Sequence, residues 1–179
     1  MNKTTVLIGT ALLFLFYCSI SSANDTLFHQ KPHLKLPDST QSIQYLTKTI
    51  QKKQPKLTQK LAQEIARAVY KYSKPFPPKL IIALMERESS LIPTKTSRTK
   101  CIGLMQINPE AHPDKVAGFS RSELYGIDTN VKIGCQILRE YYNKTGTISG
   151  ALKRYLGANN IKYRMDILSS YADMTISKK

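Results

Sequence analysis

Residues Pro78–Leu91, with the sequence PKLIIALMERESSL, decide the fold class of this chain. Four residues share one face at a helical period of 3.6, with the spacing i, i+3, i+4 and i+7: Ile81, Leu84, Met85 and Glu88. Three of them are apolar and the fourth is a carboxylic acid. The pattern predicts an amphipathic helix that carries Glu88 toward the core or toward a cleft in it.

Two interpretations of Glu88 follow from this position. Burial in apolar surroundings disfavours the ionised form of a carboxyl group and raises its pKa, which a general acid requires near neutral pH. A buried glutamate can also be a structural ion pair with one of the 27 Lys and Arg side chains. The apolar face alone leaves both interpretations open.

Helical periodicity also dominates the rest of the chain. A helix is predicted from Thr58, another after Asn130 as its cap, a short one over Ser149–Leu156, and a last one capped by Asn160. Strand-like alternation is nearly absent. We therefore predict a mainly α, compact helical domain over residues 57–175, which is long enough to bury one core.

The N-terminus has the pattern of a secretory signal. Lys3 supplies a positive start, Val6–Tyr17 is mostly apolar, and Ser21–Ala23 offers small residues for cleavage before Asn24. We expect residues 1–23 to be a signal peptide and the mature protein to be exported to the periplasm. An uncleaved anchor is the alternative, although the apolar stretch is shorter than a membrane span of roughly 20 residues.

The chain is strongly basic. Removal of the signal takes away one basic residue and no acid, so the net charge of +15 falls by one to +14. An anionic cell wall or membrane surface fits this charge, export makes nucleic acid an unsuitable partner, and a solvated basic surface is the alternative. Residues 24–56 are rich in Lys, Gln, Thr and Pro, so we expect a basic, poorly structured arm in which only Ser42–Ile50 suits a short helix.

Two cysteines, Cys101 and Cys135, follow the predicted signal. An even number in an exported protein favours a disulfide, and two buried free thiols are the alternative. No Cys/His spacing supports a metal site, and no cofactor is expected. A hydrolytic glycosidase usually needs a second carboxylate, and the candidates are three loop acids: Asp114, Glu123 and Asp128.

Five motifs occur in one order along the chain: Glu88–Pro93 (ESSLIP), Ser97, Gly103–Pro109 (GLMQINP), Asn130–Leu138 and Ala151–Ala158 (ALKRYLGA). Together they resemble the soluble lytic transglycosylase family, whose domain has a goose-type-lysozyme-like fold. The resemblance covers roughly residues 60–172.

The resemblance implies cleavage of the β-1,4 bond between N-acetylmuramic acid and N-acetylglucosamine in peptidoglycan. One glutamate, matched by Glu88, first protonates the leaving oxygen and then takes the proton of the muramic 6-hydroxyl. That hydroxyl closes on the anomeric carbon and leaves a 1,6-anhydro end. Neither water nor a second carboxylate is needed.

The resemblance also implies a set of substrate-binding residues: Ser97, Gln106, Tyr155, Met105 and Asn108. The serine suits a hydrogen bond near the carboxyl, or else caps its loop. The glutamine reaches sugar hydroxyl or acetamido groups, or else bonds to the backbone. The tyrosine hydroxyl is expected beside the carboxyl, unless the ring is only a core aromatic. The methionine is expected mainly to pack.

The chain departs from the family pattern at three single residues and in the loop Arg98–Lys100, which is more basic than is usual. Leu156 stands where the family has Asn, Asn108 where many members have Met, and Arg154 where a small residue is usual. A hydrolytic muramidase and a non-catalytic cell-wall-binding module are therefore the alternatives. We expect a monomer that acts on peptidoglycan strands, and the resemblance permits a role beside a secretion, pilus or conjugation apparatus.

Overall fold

The computed structural model describes residues 39–176, which form a mainly helical unit without a β-strand. The helices are α1 (Ser39–Lys53), α2 (Gln59–Tyr72), α3 (Pro78–Ser89), α4 (Pro113–Val116), α5 (Ile127–Thr145), α6 (Ile148–Leu156) and α7 (Ile161–Ile176), with a 3₁₀ turn at Glu123–Tyr125. The predicted fold class is confirmed. The predicted signal peptide and residues 24–38 lie outside the described residues. None of the helices within 39–176 is long and apolar enough to cross a membrane.

Helix α3 lies at the centre of the fold. Its residues Leu80–Met85 are all buried, so the helix is covered on every side, and it contacts α1, α2 and α7. The predicted apolar face is thus confirmed as part of the core. The helix ends at Ser89, because Ser90 and Leu91 take left-handed backbone conformations with φ of 55° and 60°.

Helix α1 corrects the predicted arm. The short helix expected over Ser42–Ile50 is present but longer, since Ser39–Lys53 form a helix packed on α2, and the prediction of a poorly structured arm is wrong for this segment. Its inward face holds only two apolar core residues, Leu46 and Ile50, and this made the periodicity weak. The face is completed by buried small polar residues such as Thr47, whose hydroxyl donates to the Ile43 carbonyl at 2.7 Å.

One of the two predicted helix caps is confirmed, since the Asn160 side chain accepts from the Tyr163 N–H at 3.0 Å. The other is wrong, because α5 begins at Ile127 and Asn130 lies inside its first turn. Thr58, at the predicted start of a helix, caps α2 with a hydroxyl that accepts from the Leu61 N–H at 3.2 Å.

Asn130 instead fastens a loop to α5. Its Oδ1 accepts from the Met105 N–H at 2.8 Å, and its Nδ2 donates to the carbonyls of Ile102 at 2.9 Å and Leu124 at 2.8 Å. The side chain is completely buried. A Cβ on Gly103, which has φ of 75°, would lie 2.3 Å from Asn130 Nδ2, so this position needs glycine. Asn130 therefore holds the loop that carries the Gly-Leu-Met-Gln motif.

The predicted disulfide is wrong in this structure, since Cys101 and Cys135 are both free thiols. Cys135 is enclosed in the core on α5, and burial raises the pKa of its thiol to about 12. Cys101 is half-buried, and its Sγ lies 3.5 Å from the Thr99 hydroxyl. The two side chains thus occupy different environments.

We expect a thiol reagent to modify the half-buried Cys101 in the native protein and Cys135 only after unfolding. The thiolate is the reactive form, and burial disfavours it at Cys135. Thiol titration of wild type, Cys101→Ser and Cys135→Ser, before and after denaturation without reductant, checks this. Cys101→Ser should lower the native count by one, and Cys135→Ser only the denatured count. If neither substitution lowers the denatured count, the two residues are bridged.

Candidate active site

A cleft of about 640 Å³ brings most of the predicted site residues together. Its lining includes five of them, namely Glu88, Ser97, Gln106, Asn108 and Tyr155, and also Arg87, Lys95, His112, Tyr141, Arg154 and Tyr163. Residues from α3, from the loop after it, and from α5, α6 and α7 therefore meet around one cavity. A cavity of this size can hold a sugar-sized ligand.

Glu88 is half-buried at the cleft end of α3. Burial raises the pKa of its carboxyl group, while the hydrogen bond from Tyr163 and the charges of Arg87 and Lys95 act in the opposite direction. The net pKa is raised. The carboxyl therefore holds its proton at a higher pH than an exposed glutamate does, as a general acid must.

The ion-pair interpretation applies to Glu86, not to Glu88. Lys53 lies 3.2 Å from a Glu86 carboxylate oxygen, to which the Ser170 hydroxyl also donates, on the face away from the cleft. Glu88 has no ion pair with any side chain in residues 39–176. The Lys95 Nζ donates to the main-chain carbonyl of Glu88 at 3.1 Å and forms no ion pair with the Glu88 carboxyl group.

Tyr163 on α7 donates its hydroxyl to Glu88 Oε1 and is the site residue that the sequence reasoning missed. The sequence placed it only among the apolar positions of the last helix. Burial, and then the charge of Glu88, raise the pKa of the Tyr163 hydroxyl, which keeps it a donor. Because a buried tyrosine hydroxyl needs a polar partner, a tyrosine on the apolar face of the last helix could have indicated a contact with a polar site residue.

Tyr155 lines the cleft, but its hydroxyl donates to the Met105 carbonyl at 2.8 Å. Burial raises the pKa of Tyr155 well above its ordinary value, and the Glu88 charge adds to this. The ring is therefore near Glu88, while the hydroxyl that reaches the carboxyl belongs to Tyr163. Tyr155 anchors the loop of the Gly-Leu-Met-Gln motif to α6.

Ser97 and Gln106 line the cleft and also hold its loops. The Ser97 hydroxyl accepts from the Cys101 N–H at 3.0 Å and bonds to the Thr99 hydroxyl at 2.9 Å, which matches the loop-capping alternative. Gln106 Nε2 donates to the carbonyls of Lys95 at 3.2 Å and Gly103 at 2.9 Å. Its Oε1 has no hydrogen-bond partner in residues 39–176. Substrate binding by these residues stays a prediction.

Met105 and Asn108 differ in their access to the cleft. Met105 is fully buried and is not part of the lining, as expected of a residue that mainly packs, and its contact with substrate stays a prediction. It packs against Gly134, where an added Cβ would lie 2.6 Å from the Met105 Cβ. Asn108 does line the cleft, and its Oδ1 accepts from the Glu110 N–H at 3.0 Å.

The three acids predicted to lie in a loop are instead on α4, in the 3₁₀ turn and on α5, and they do not join Glu88. Asp114 pairs with Lys115 at 2.8 Å, Glu123 accepts from Ser120, and Asp128 accepts from the Tyr72 hydroxyl at 2.6 Å. None of them lines the cleft, so Glu88 is its only carboxylate within the described part of the chain. Residues 39–176 also contain no group of three or more His, Cys, Asp or Glu side chains that could hold a metal ion.

Residues 64–172 match the family model described as "Transglycosylase SLT domain". The match covers more than half of the chain, which therefore belongs to the SLT transglycosylase-domain family, with a lysozyme-like domain and a lytic-transglycosylase-type function on peptidoglycan. The family predicted from the motifs is confirmed. Comparison with curated proteins gave no match, and neither did comparison with solved structures.

Proposed function

We propose that this protein is a lytic transglycosylase that cleaves the β-1,4 bond between N-acetylmuramic acid and N-acetylglucosamine and leaves a 1,6-anhydro end. One observation carries the proposal: the cleft holds a single carboxyl group in the described residues, and burial raises its pKa. An enzyme that uses one group as acid and then as base needs no second carboxylate.

In the proposed reaction, protonated Glu88 gives its proton to the glycosidic oxygen as the bond to the anomeric carbon breaks. The acetamido group of the substrate stabilises the positive charge on that carbon. The Glu88 carboxylate, which accepts a hydrogen bond from Tyr163, then takes the proton of the muramic 6-hydroxyl. The 6-oxygen bonds to the anomeric carbon, and Glu88 regains its starting proton without a water molecule being consumed.

The proposal is tested by digesting purified peptidoglycan with the protein and analysing the products by mass spectrometry. Anhydro-muropeptides, each lighter by one water than the corresponding reducing end, are the expected products. Reducing ends would identify a hydrolytic muramidase. Binding to peptidoglycan without any product would identify a non-catalytic cell-wall-binding module, for which the departures at Leu156 and Asn108 are the motivation.

We further propose that the protein acts as an exported, periplasmic monomer, and that it opens the wall locally for an envelope-spanning secretion, pilus or conjugation apparatus. The signal pattern of residues 1–23 and the net charge of +15 support export toward an anionic wall. Fractionation of cells that express the full chain tests the location, since a cytoplasmic protein would contradict it.

The Tyr163→Phe variant tests whether the Tyr163 hydrogen bond lowers the pKa of the Glu88 carboxyl group. The Tyr163 hydrogen bond lowers the Glu88 pKa, so its removal should raise that pKa further. Because the reaction starts from protonated Glu88, kcat/KM falls as the pH rises through this pKa. The falling limb of the pH–rate profile should therefore move to higher pH, while the maximal rate decreases because the carboxylate loses its hydrogen bond.

The matched control is Tyr155→Phe, which removes a hydroxyl of the same cleft that donates to the Met105 carbonyl and not to Glu88. It should leave the falling limb where it is. A limb that moves equally in both variants, or in neither, would contradict the role of Tyr163.

A further inference from the structure

The cleft carries an excess of positive charge. Three Lys and Arg side chains line it, Arg87, Lys95 and Arg154, against the carboxyl group of Glu88 as the one acid of the lining among residues 39–176. Two of the three have partners within the protein. The Arg87 Nε lies 3.6 Å from an Asp166 carboxylate oxygen, and the Lys95 Nζ bonds to the Glu88 carbonyl.

Arg154 differs from the other two. It is exposed on α6, directly before Tyr155, and its side chain has neither a hydrogen bond nor an ion pair with any residue in the range 39–176. Its guanidinium group therefore offers all of its donors to a molecule in the cleft. The adjacent Lys153 is also exposed but does not line the cleft.

A free guanidinium group in a binding cleft matches a carboxylate. Its planar array of N–H donors bonds to both carboxylate oxygens at once, which a single ammonium group cannot do. The sugar rings of peptidoglycan are uncharged where their lactyl groups are linked to peptides, so the negative charges of the intact polymer lie on the carboxylates of its peptide stems. The basic residues beside Arg154 raise the local concentration of such an anion.

We propose that Arg154 is a specificity-determining residue that binds a carboxylate of the peptide stem, so that the enzyme prefers strands with charged stems. This inference rests on the proposed function, because it takes peptidoglycan as the substrate.

The experiment compares native peptidoglycan with the same material after its carboxylates have been converted to methylamides. This treatment removes the charge and keeps the peptides in place. Cleavage by the full chain is measured on both polymers for wild type, Arg154→Ala, Arg154→Lys and the control Lys153→Ala, which changes the net charge by the same amount.

Wild type should cleave the native polymer faster than the amidated one. Arg154→Ala should reduce this ratio of rates roughly fivefold, as expected for the loss of one solvent-accessible ion pair, and Arg154→Lys should restore part of it. Lys153→Ala should keep the wild-type ratio. An unchanged ratio in Arg154→Ala, or an equal decrease in Lys153→Ala, would overturn the proposal.

Failure of the proposed function has a separate signature, namely no cleavage of either polymer by wild type. In that case, binding of muropeptides tests the proposed carboxylate subsite at Arg154. Soluble muropeptide oligomers, native and amidated, are titrated into Glu88→Gln and into Glu88→Gln/Arg154→Ala. The first variant should prefer the native oligomers and the second should lose that preference, and equal affinities for both oligomers in the first would refute the subsite.

Discussion

Replacement of Glu88 by glutamine is expected to lower the rate of peptidoglycan cleavage by about a thousandfold, because the substitution removes the proton donor and acceptor of the reaction. Glutamine has the same shape and still accepts the hydrogen bond from Tyr163. Release of soluble fragments from purified peptidoglycan measures the effect. A variant that keeps more than about a tenth of the wild-type rate would show that Glu88 is not the acid.

The same substitution should not lower the thermal stability. Burial raises the folded-state pKa of Glu88, so ionisation of this group costs stability as the pH rises through that pKa. Glutamine does not ionise, and the Tm of the variant should equal or exceed that of wild type above that pH. Calorimetry at two pH values checks the sign.

Glu86→Gln is the matched control, since it removes a carboxylate of the same helical turn that lies outside the cleft. The partly exposed pair with Lys53 is worth about 1 kcal/mol at most, so this variant should lose a little stability and keep its activity. If Glu88→Gln loses activity but not stability while Glu86→Gln loses stability but not activity, the loss of cleavage is due to the missing proton donor and not to unfolding.

Asn130→Ala should produce the largest loss of stability. It leaves the Met105 N–H and the Leu124 carbonyl unpaired, and it removes one of the two hydrogen bonds of the Ile102 carbonyl, which also accepts from the Ile107 N–H at 3.0 Å. At about 1 kcal/mol for each of the three lost hydrogen bonds, we expect the free energy of unfolding to fall by about 3 kcal/mol, with a decrease in Tm of about 10 °C. Thermal and denaturant unfolding measure this change.

The control for this variant is Asn143→Ala, an asparagine on the exposed side of the same helix α5. It removes no buried hydrogen bond and favours the helix slightly, so stability should stay within about 0.5 kcal/mol of wild type. A similarly small effect of Asn130→Ala would mean that water replaces its side chain in the loop.

The helical part of the fold was predictable wherever apolar periodicity is strong. The face of α3 that ends in Glu88 follows directly from the spacing of its apolar residues. Helix α1 was underestimated because Leu46 and Ile50 are its only core side chains and small polar residues fill the rest of its inner face. Side-chain hydroxyl groups that are hydrogen-bonded to carbonyls of their own helix can be buried, and the pattern of hydrophobic residues does not indicate them.

The site was predictable as a set of positions but not as a network of contacts. Glu88, Gln106 and Tyr155 do meet in one cleft. Which hydroxyl reaches the carboxyl depends on how α6 and α7 are placed, and this is set by tertiary packing that local spacing does not encode. The prediction that Asn130 caps a helix is wrong for the same reason, since an asparagine near a helix start has the same local sequence pattern whichever way its side chain turns.

The early end of α3 has an electrostatic consequence. Glu88 lies in the last turn, where the aligned peptide dipoles give the helix a partial negative charge. The left-handed residues Ser90 and Leu91 stop the helix there, and their N–H groups return to carbonyls of the last turns at 3.0 and 3.3 Å. A carboxylate at this end opposes the macrodipole, whereas at the first turn it would be stabilised by it. The backbone of α3 thus adds to the effect of burial and helps to keep the proton on Glu88 until a sugar oxygen takes it.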